Sequence, residues 1–166
     1  WRVRATETVL AAGAIERSLP FGNNDLPGVM SAEAGLHYLI RFGVAAGRRV
    51  VIATTNGTAY DTARALHEVG ADVTLLDLRG RASAGQHPFR VLAGQMIETA
   101  LGRRQLEAVR LASGQRIEAD TVLVSGGHTP SVHLYSQAQG KLRWDEALQA
   151  FLPGLPVAGL RVVGAA

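Results

Sequence analysis

The chain has 166 residues, 47% of them hydrophobic and 19% charged, with a formal net charge of +3 and no cysteine. That length holds one domain with a core of its own, or a central domain with pieces of a neighbour, and the composition excludes a disordered chain. Without cysteine this segment supplies no disulfide, thiol nucleophile or iron–sulfur ligand.

The opening residues, WRVR and then ETVLA, alternate and stop at Gly13, which predicts the end of a hairpin followed by a buried strand. Residues 16–31, ERSLPFGNNDLPGVMS, carry two prolines and two glycines and read as a connecting loop. Ser31 then stands as an N-cap before Ala34, Leu36, Leu39 and Ile40, with Gly43 as terminator, so a helix is expected.

A strand at Arg49 to Ala53, a tight turn, a helix from about Thr58 to Val69 and a strand at Asp72 to Leu76 follow as one βαβ unit. Residues 79–89, RGRASAGQHPF, are polar with no helical period. Residues 90–127 read as four or five strands, with turns at Gly102-Arg103 and Ser113-Gly114. The last of these strands, DTVLVSGG, is apolar through its middle, as a strand buried on both faces should be. GKLRWDEALQAFLPG predicts a short amphipathic helix with Leu142, Trp144, Leu148 and Phe151 on its apolar face, closed by Pro153-Gly154. GLRVVGAA predicts a final strand. The fold class expected is α/β: a three-layer FAD/NAD(P)-binding-type domain with a central parallel sheet and an antiparallel β-meander.

The stretch VVIATTNGTA is where such a domain would hold a dinucleotide. A helix N-terminus there offers free N–H groups to a pyrophosphate, and each glycine of G-x-G-x-x-G/A permits a tight turn or a close backbone approach. Here the three places fall at Thr54, Asn56 and Ala59. Alanine is an accepted variant at the third, and asparagine enters left-handed backbone more readily than most residues. Thr54 is the poor fit, because a β-branched residue resists that backbone; Gly57 is available to take up part of the turn. Asp77 ends the second strand where a carboxylate can accept hydrogen bonds from ribose hydroxyls, which favours NAD, while Arg79 keeps NADP open. Asp61, in the first helical turn, weighs against phosphate by satisfying the helix dipole itself. The sites expected for cofactor are Thr54, Thr55, Asn56, Gly57, Asp77, Gly126 and Gly127. The alternative is a plain βαβ turn with Asp77 at a solvated strand end.

Three flanking stretches carry a resemblance. TVLAAGAIERSLPFGNNDLPGVMSAEAGLHYL resembles the segment where two-dinucleotide flavoproteins hand over from an FAD domain to an inserted NAD(P) domain, with Ala12 where threonine is usual. DTVLVSGGHTPS resembles the strand and glycine turn that close the NAD domain near the nicotinamide. HLYSQAQGKLRWDEALQAFLPG is similar to the α subunit of heterotetrameric sarcosine oxidases. The resemblance implies a larger enzyme that demethylates sarcosine to glycine with hydrogen peroxide formed, with FAD and FMN elsewhere in the complex, NAD in this segment, and the other subunits and the remainder of the α subunit as partners. It implies that the fragment alone is inactive. It also implies a division into residues 1–46 (a piece of a split FAD domain and crossover), 47–128 (the NAD-binding domain) and 129–166 (the return segment), with residues 79–89 shorter than the family's usual crossover.

Nothing in the residues nominates a catalytic group. Ser31, Ser125 and Ser136 lack a nucleophile-elbow pattern. His128 and His133 lack grouped carboxylates, so no metal site is expected. Lys141 is the only lysine, and the arginines scatter without the basic stripe of a nucleic-acid binder. With no apolar run of about 20 residues, neither nucleic acid nor membrane is expected as a partner, and a cytoplasmic setting is expected. The chain starts at Trp1 without a leader pattern and reads as part of a longer protein. Two other readings stay open: a reductase of the disulfide-reductase type, and a βαβ scaffold that has lost its nucleotide.

Overall fold

The computed structural model describes residues 2–80 and 86–165. The expectation for residues 79–89 therefore lies partly outside the described residues. Two compact units are present: one formed by the chain up to Ile15 and from His128 onward, the other by Glu16–Gly127.

In the first unit β1 (Thr8–Leu10) is parallel to the C-terminal strand, pairing Thr8 with Leu160 and Leu10 with Val162. The expected hairpin before a buried strand is therefore corrected: β1 is largely exposed, and its partner comes from the far end of the chain. A second short strand, β2 (Ala14–Glu16), ends the N-terminal stretch.

The second unit is built on a five-stranded parallel sheet. Its strands are β3 (Val29–Ser31), β4 (Arg49–Thr54), β5 (Asp72–Asp77), β6 (Arg90–Ala93) and, after three intervening strands, β10 (Thr121–Ser125), in the spatial order β3-β10-β4-β5-β6. Helix α1 (Ala32–Phe42) links β3 to β4, and α2 (Ala59–Glu68) links β4 to β5. The ends of α1 follow its sequence: the Ser31 side chain accepts from the Ala34 amide, and Gly43 closes the helix in left-handed conformation. β3 lies inside the stretch expected as loop. It is three residues long, and its position beside β10, pairing Val29 with Val122, makes it a strand.

The intervening strands β7 (Ile97–Leu101), β8 (Ala108–Leu111) and β9 (Arg116–Glu118) form the expected antiparallel meander. Strand periodicity sorts the core into two layers. Val50 and Ile52 of β4, with Val73 and Leu75 of β5 and Leu123 of β10, pack with Ala59, Tyr60, Ala63 and Leu66 of α2. Val51, Ala53, Leu76, Val122 and Val124 face the other way, onto Ile97, Val109, Leu111 and Ile117 of the meander. Helices, sheet and meander are the three layers the sequence predicts. β3 pairs within this sheet, and both β3 and α1 fall inside the unit Glu16–Gly127.

The chain then returns to the first unit through β11 (His128–Pro130), the one-turn helix α3 (His133–Gln137), β12 (Leu142–Asp145), β13 (Ala150–Pro153) and β14 (Leu160–Val162). The helix expected over residues 140–154 is corrected to a β-hairpin. Trp144 sits opposite Phe151 in the antiparallel ladder, their rings 5.0 Å apart and edge-on. The turn is held by the Asp145 carboxylate, which accepts from the Leu148 amide at 3.1 Å, and by Gln149 at a φ of 49°. Cross-strand aromatic pairing of this kind stabilises a hairpin, and it replaces the helical face that the same residues suggest. Arg143 and Asp145 also pair along β12, at 3.3 Å in solvent. Tyr135 of α3 is buried, and its hydroxyl donates to the carbonyls of Lys141 and Leu155, pinning the hairpin's two flanks.

Leu123 has no exposed surface and contacts α1 at Gly35, where an added Cβ would stand 2.8 Å from its Cδ1. Leu123→Ala is expected to destabilise the sheet by roughly 2–5 kcal/mol, read as a lower denaturant midpoint with an unchanged slope.

Candidate functional site

In an open α/β sheet, ligands bind beyond the carboxyl ends of the strands, where the strand order reverses. Here the chain passes from β4 to β5 on one side, while β10 flanks β4 on the other, so the reversal lies between β4 and β10. The structure brings all seven expected site residues to the carboxyl ends of β4, β5 and β10. Thr54 ends β4, Thr55 to Gly57 form the turn, Asp77 ends β5, and Gly126 and Gly127 follow β10.

The turn does not use the backbone that glycine would supply. None of Thr54, Thr55, Asn56 and Gly57 has a positive φ. Thr54 is buried and stays in the strand, its hydroxyl accepting from the Asn56 amide and donating to the Asn56 carbonyl, both at 3.0 Å. The β-branched residue thus closes the turn with its side chain. Asn56 crosses the reversal point: its Nδ2 donates to the carbonyl and hydroxyl oxygens of Ser125 at 3.1 and 2.9 Å. Its Oδ1 accepts from the Thr58 amide at 3.0 Å, an Asx-turn just ahead of α2. Thr55 donates its amide to the same Ser125 carbonyl at 3.0 Å. The amides of Tyr60 and Asp61 bond to the Gly57 and Thr58 carbonyls. Asp61 pairs with Arg64 at 2.9 Å in solvent.

Asp77 is equally engaged. Its side chain has no exposed surface; Oδ1 accepts from the Arg79 amide at 3.1 Å and Nε at 2.9 Å, and Oδ2 from Arg79 Nη2 at 2.7 Å and the Tyr60 hydroxyl at 2.8 Å. Four donors meet the four lone-pair directions of a carboxylate. Burial pushes the Asp77 carboxyl up, but hydrogen bonds from the Arg79 side chain, Tyr60 and the Arg79 amide, together with the guanidinium charge, hold it below the usual aspartate value.

Gly126 and Gly127 are glycines for a local reason. A Cβ on Gly126 would lie 2.8 Å from the Arg17 carbonyl oxygen, and one on Gly127 would lie 2.8 Å from Arg17 Nη2. The two segments exchange backbone bonds, Arg17 amide to Gly127 carbonyl and Gly126 amide to Arg17 carbonyl, both at 2.8 Å. Their missing side chains make room for residues 17–18.

A dinucleotide held in the usual way needs free turn amides, a carboxylate with acceptor capacity and an open glycine face. In the present arrangement the Thr55 and Asn56 amides, the Asp77 carboxylate and the Gly126–Gly127 face are engaged within the chain, so these residues do not fit NAD as they stand, whereas Gly57 lies exposed in the turn. A separate cavity of about 300 Å³ lies at the opposite, amino ends of the strands, lined by Arg49, Asp72, Thr74, Arg90, Arg116 and Glu118. Its Arg116 is paired with Glu118 at 2.8 Å. Among the described residues no helix is long and apolar enough to cross a membrane.

The sequence pointed to the Asp77 position but not to its partners. Tyr60 lies 17 residues away on α2, and nothing in its helical spacing distinguishes it from an ordinary core residue. Asp77→Asn is expected to destabilise the unit by roughly 1–3 kcal/mol at neutral pH. Because the folded carboxyl titrates below its unfolded value of about 3.9, its stabilisation is complete above that value and is lost as pH falls through the folded one. Unfolding curves of wild type and variant should therefore converge as the pH is taken below about 4.

No protein-family model matches the chain. Its sequence is 40% identical to the sarcosine oxidase α subunit of Corynebacterium sp. (strain P-1), across 99% of this chain and 19% of that subunit. It is 38% identical to the same subunit of Rhizobium meliloti (strain 1021), across 100% of this chain and 17% of that one. One subunit of the opine oxidase of Agrobacterium tumefaciens (strain Ach5) is 30% identical across 91% of this chain and 36% of its own length. Among solved structures, L-proline dehydrogenase from P. horikoshii superposes with a TM-score of 0.78 at 25% identity, over 97% of this chain and 30% of that one. An FAD-dependent pyridine nucleotide-disulphide oxidoreductase from Desulfovibrio vulgaris does so with a TM-score of 0.65 at 20% identity, over 87% of this chain and 41% of that one, which shows a shared fold alone. The chain thus spans less than a fifth of the two α subunits, and over nearly its whole length it is a homologue of one segment of the sarcosine oxidase α subunit.

Proposed function

We propose that this chain is the inserted dinucleotide-fold segment of the α subunit of a flavoenzyme that oxidises sarcosine or a closely related N-substituted amino acid. The observation that carries the proposal is 40% identity sustained over 99% of the chain. The fold supports it, since a parallel sheet covered by helices on one face and a meander on the other is shared with L-proline dehydrogenase. The names of the relatives agree on chemistry. Sarcosine, proline and opines are all amino acids with a carbon substituent on nitrogen, and oxidation of a C–N bond to an imine followed by hydrolysis is a reaction open to each.

In this reading the segment does not perform the chemistry. No residue of the segment is assigned a catalytic role, and FAD and FMN are assigned to other parts of the assembly. Its role is to complete the α subunit on which the other subunits dock. A reductase of the disulfide type would need a dithiol or an equivalent redox partner, and this stretch has no cysteine to supply it.

The test uses the full-length α subunit co-expressed with its partner subunits. Oxygen-dependent formation of hydrogen peroxide is expected with sarcosine and absent from the 166-residue chain alone. Faster turnover of proline or an opine would keep the class and change the substrate. Sarcosine turnover by the isolated segment, or disulfide reduction with NAD(P)H and no amine oxidation by the assembly, would refute the proposal.

A further inference from the structure

The carboxyl ends of β4, β5 and β10 contain polar groups that a dinucleotide would use, and most of them have a partner in the chain. Asn56 spans the strand-order reversal from β4 to Ser125 of β10. Thr54 closes the turn by bonding to the Asn56 amide. Asp77 spends its four acceptor directions on Arg79 and Tyr60. The face of Gly126 and Gly127 is covered by Arg17 and the Ser18 carbonyl. Three places that would contact phosphate, ribose and ring are thus filled separately, by residues from different stretches of the same unit.

We infer that this crevice is filled by the chain itself and takes no dinucleotide, with Asn56 tying the end of β4 to that of β10 and Asp77 tying the end of β5 to α2 in place of a bound cofactor. The physical case is one of replacement cost. Freeing the Thr55, Asn56 and Thr58 amides for a pyrophosphate would break their bonds to the Ser125 carbonyl, the Thr54 hydroxyl and Asn56 Oδ1 respectively. Admitting a ribose at Asp77 would require the Arg79 fork or Tyr60 to let go of a buried carboxylate, and an uncompensated buried group is costly. Gly57 and Ala59 are the turn positions whose amides are left to meet a ligand. The inference concerns this crevice alone and holds whichever amine the assembly oxidises.

The test is hydrogen exchange on the full-length subunit in its assembly, with and without millimolar NAD. Peptides covering residues 54–61, 77–79 and 125–127 are expected to exchange at the same rates in both conditions, even where NAD protects other parts of the protein. Saturable protection of these three peptides together would overturn the inference. Asn56→Ala provides the second readout. Exchange at residues 54–58 and 125–127 is expected to rise roughly tenfold without nucleotide, with the NAD content of the purified assembly unchanged. Loss of bound NAD with native exchange rates would overturn it. Should Asn56→Ala fail to assemble, Ser125→Ala removes one acceptor only and is read by the same two measurements. Sarcosine turnover, followed in the same preparations, separates failure of this inference from failure of the proposed reaction.

Discussion

Burial of the central strands on both faces is the constraint from which the rest of the second unit follows. Every residue of β10, and each of β4 and β5 after its first, is buried, which stabilises the sheet through two apolar layers. It also forbids unsatisfied backbone groups, and within the ladder the strands meet that demand for one another. The demand reappears at the carboxyl ends, where pairing stops. The Thr54 carbonyl is met by the Leu78 amide at 2.9 Å, the Asp77 carbonyl by the Gly94 amide at 2.8 Å, and the Ser125 carbonyl by Thr55 and Asn56. Backbone amides, joined by the Asn56 side chain, complete the sheet's own hydrogen bonding at these ends.

The same requirement explains why a glycine-poor turn is stable. In a nucleotide-binding turn, glycine lets the backbone approach phosphate, and the phosphate in turn satisfies the helix amides. Here Asn56 Oδ1 supplies an acceptor for the Thr58 amide, and the Thr54 hydroxyl supplies one for Asn56. Substituting side-chain acceptors for a phosphate removes the need for positive φ, so a β-branched residue is no burden. Asp77 is neutralised in a comparable way: a carboxylate that would be costly to bury alone is matched by the guanidinium fork of Arg79, itself about one-third exposed, and by the Tyr60 hydroxyl. Fold and chemistry are separable, as they are in many proteins that share a superfold. The shape of a dinucleotide domain is retained while its polar ends serve the chain.

Much of this architecture was legible in the residues. Ser31 and Gly43 marked the ends of α1, apolar runs marked β4, β5 and β10, and Gly102 and Gly114 marked turns in the meander. Legibility failed where two periods fit the same residues. Leu142, Trp144, Leu148 and Phe151 suit one face of a helix, yet Leu142 and Trp144 also suit alternation in a strand. The contact between Trp144 and Phe151 across the hairpin decides between them. β3 was hidden because three residues after a proline-rich loop carry no periodicity; β10 beside it makes the strand.

The order of strand, helix and strand, the two-sided burial of β4, β5 and β10, and the likeness to sarcosine oxidase α subunits were determined by sequence alone, since they depend on residues within one element or on a continuous match. The state of the crevice was decided only by the tertiary structure. Asn56 and Ser125 stand 69 residues apart, Tyr60 and Asp77 lie on different elements, and Gly127 meets Arg17 from the start of the unit. A hydrogen bond needs its partners within about 3 Å. No pattern of residue types along the chain specifies which distant donors will arrive there, so whether these strand ends are open or filled became evident only once the sheet had brought them together.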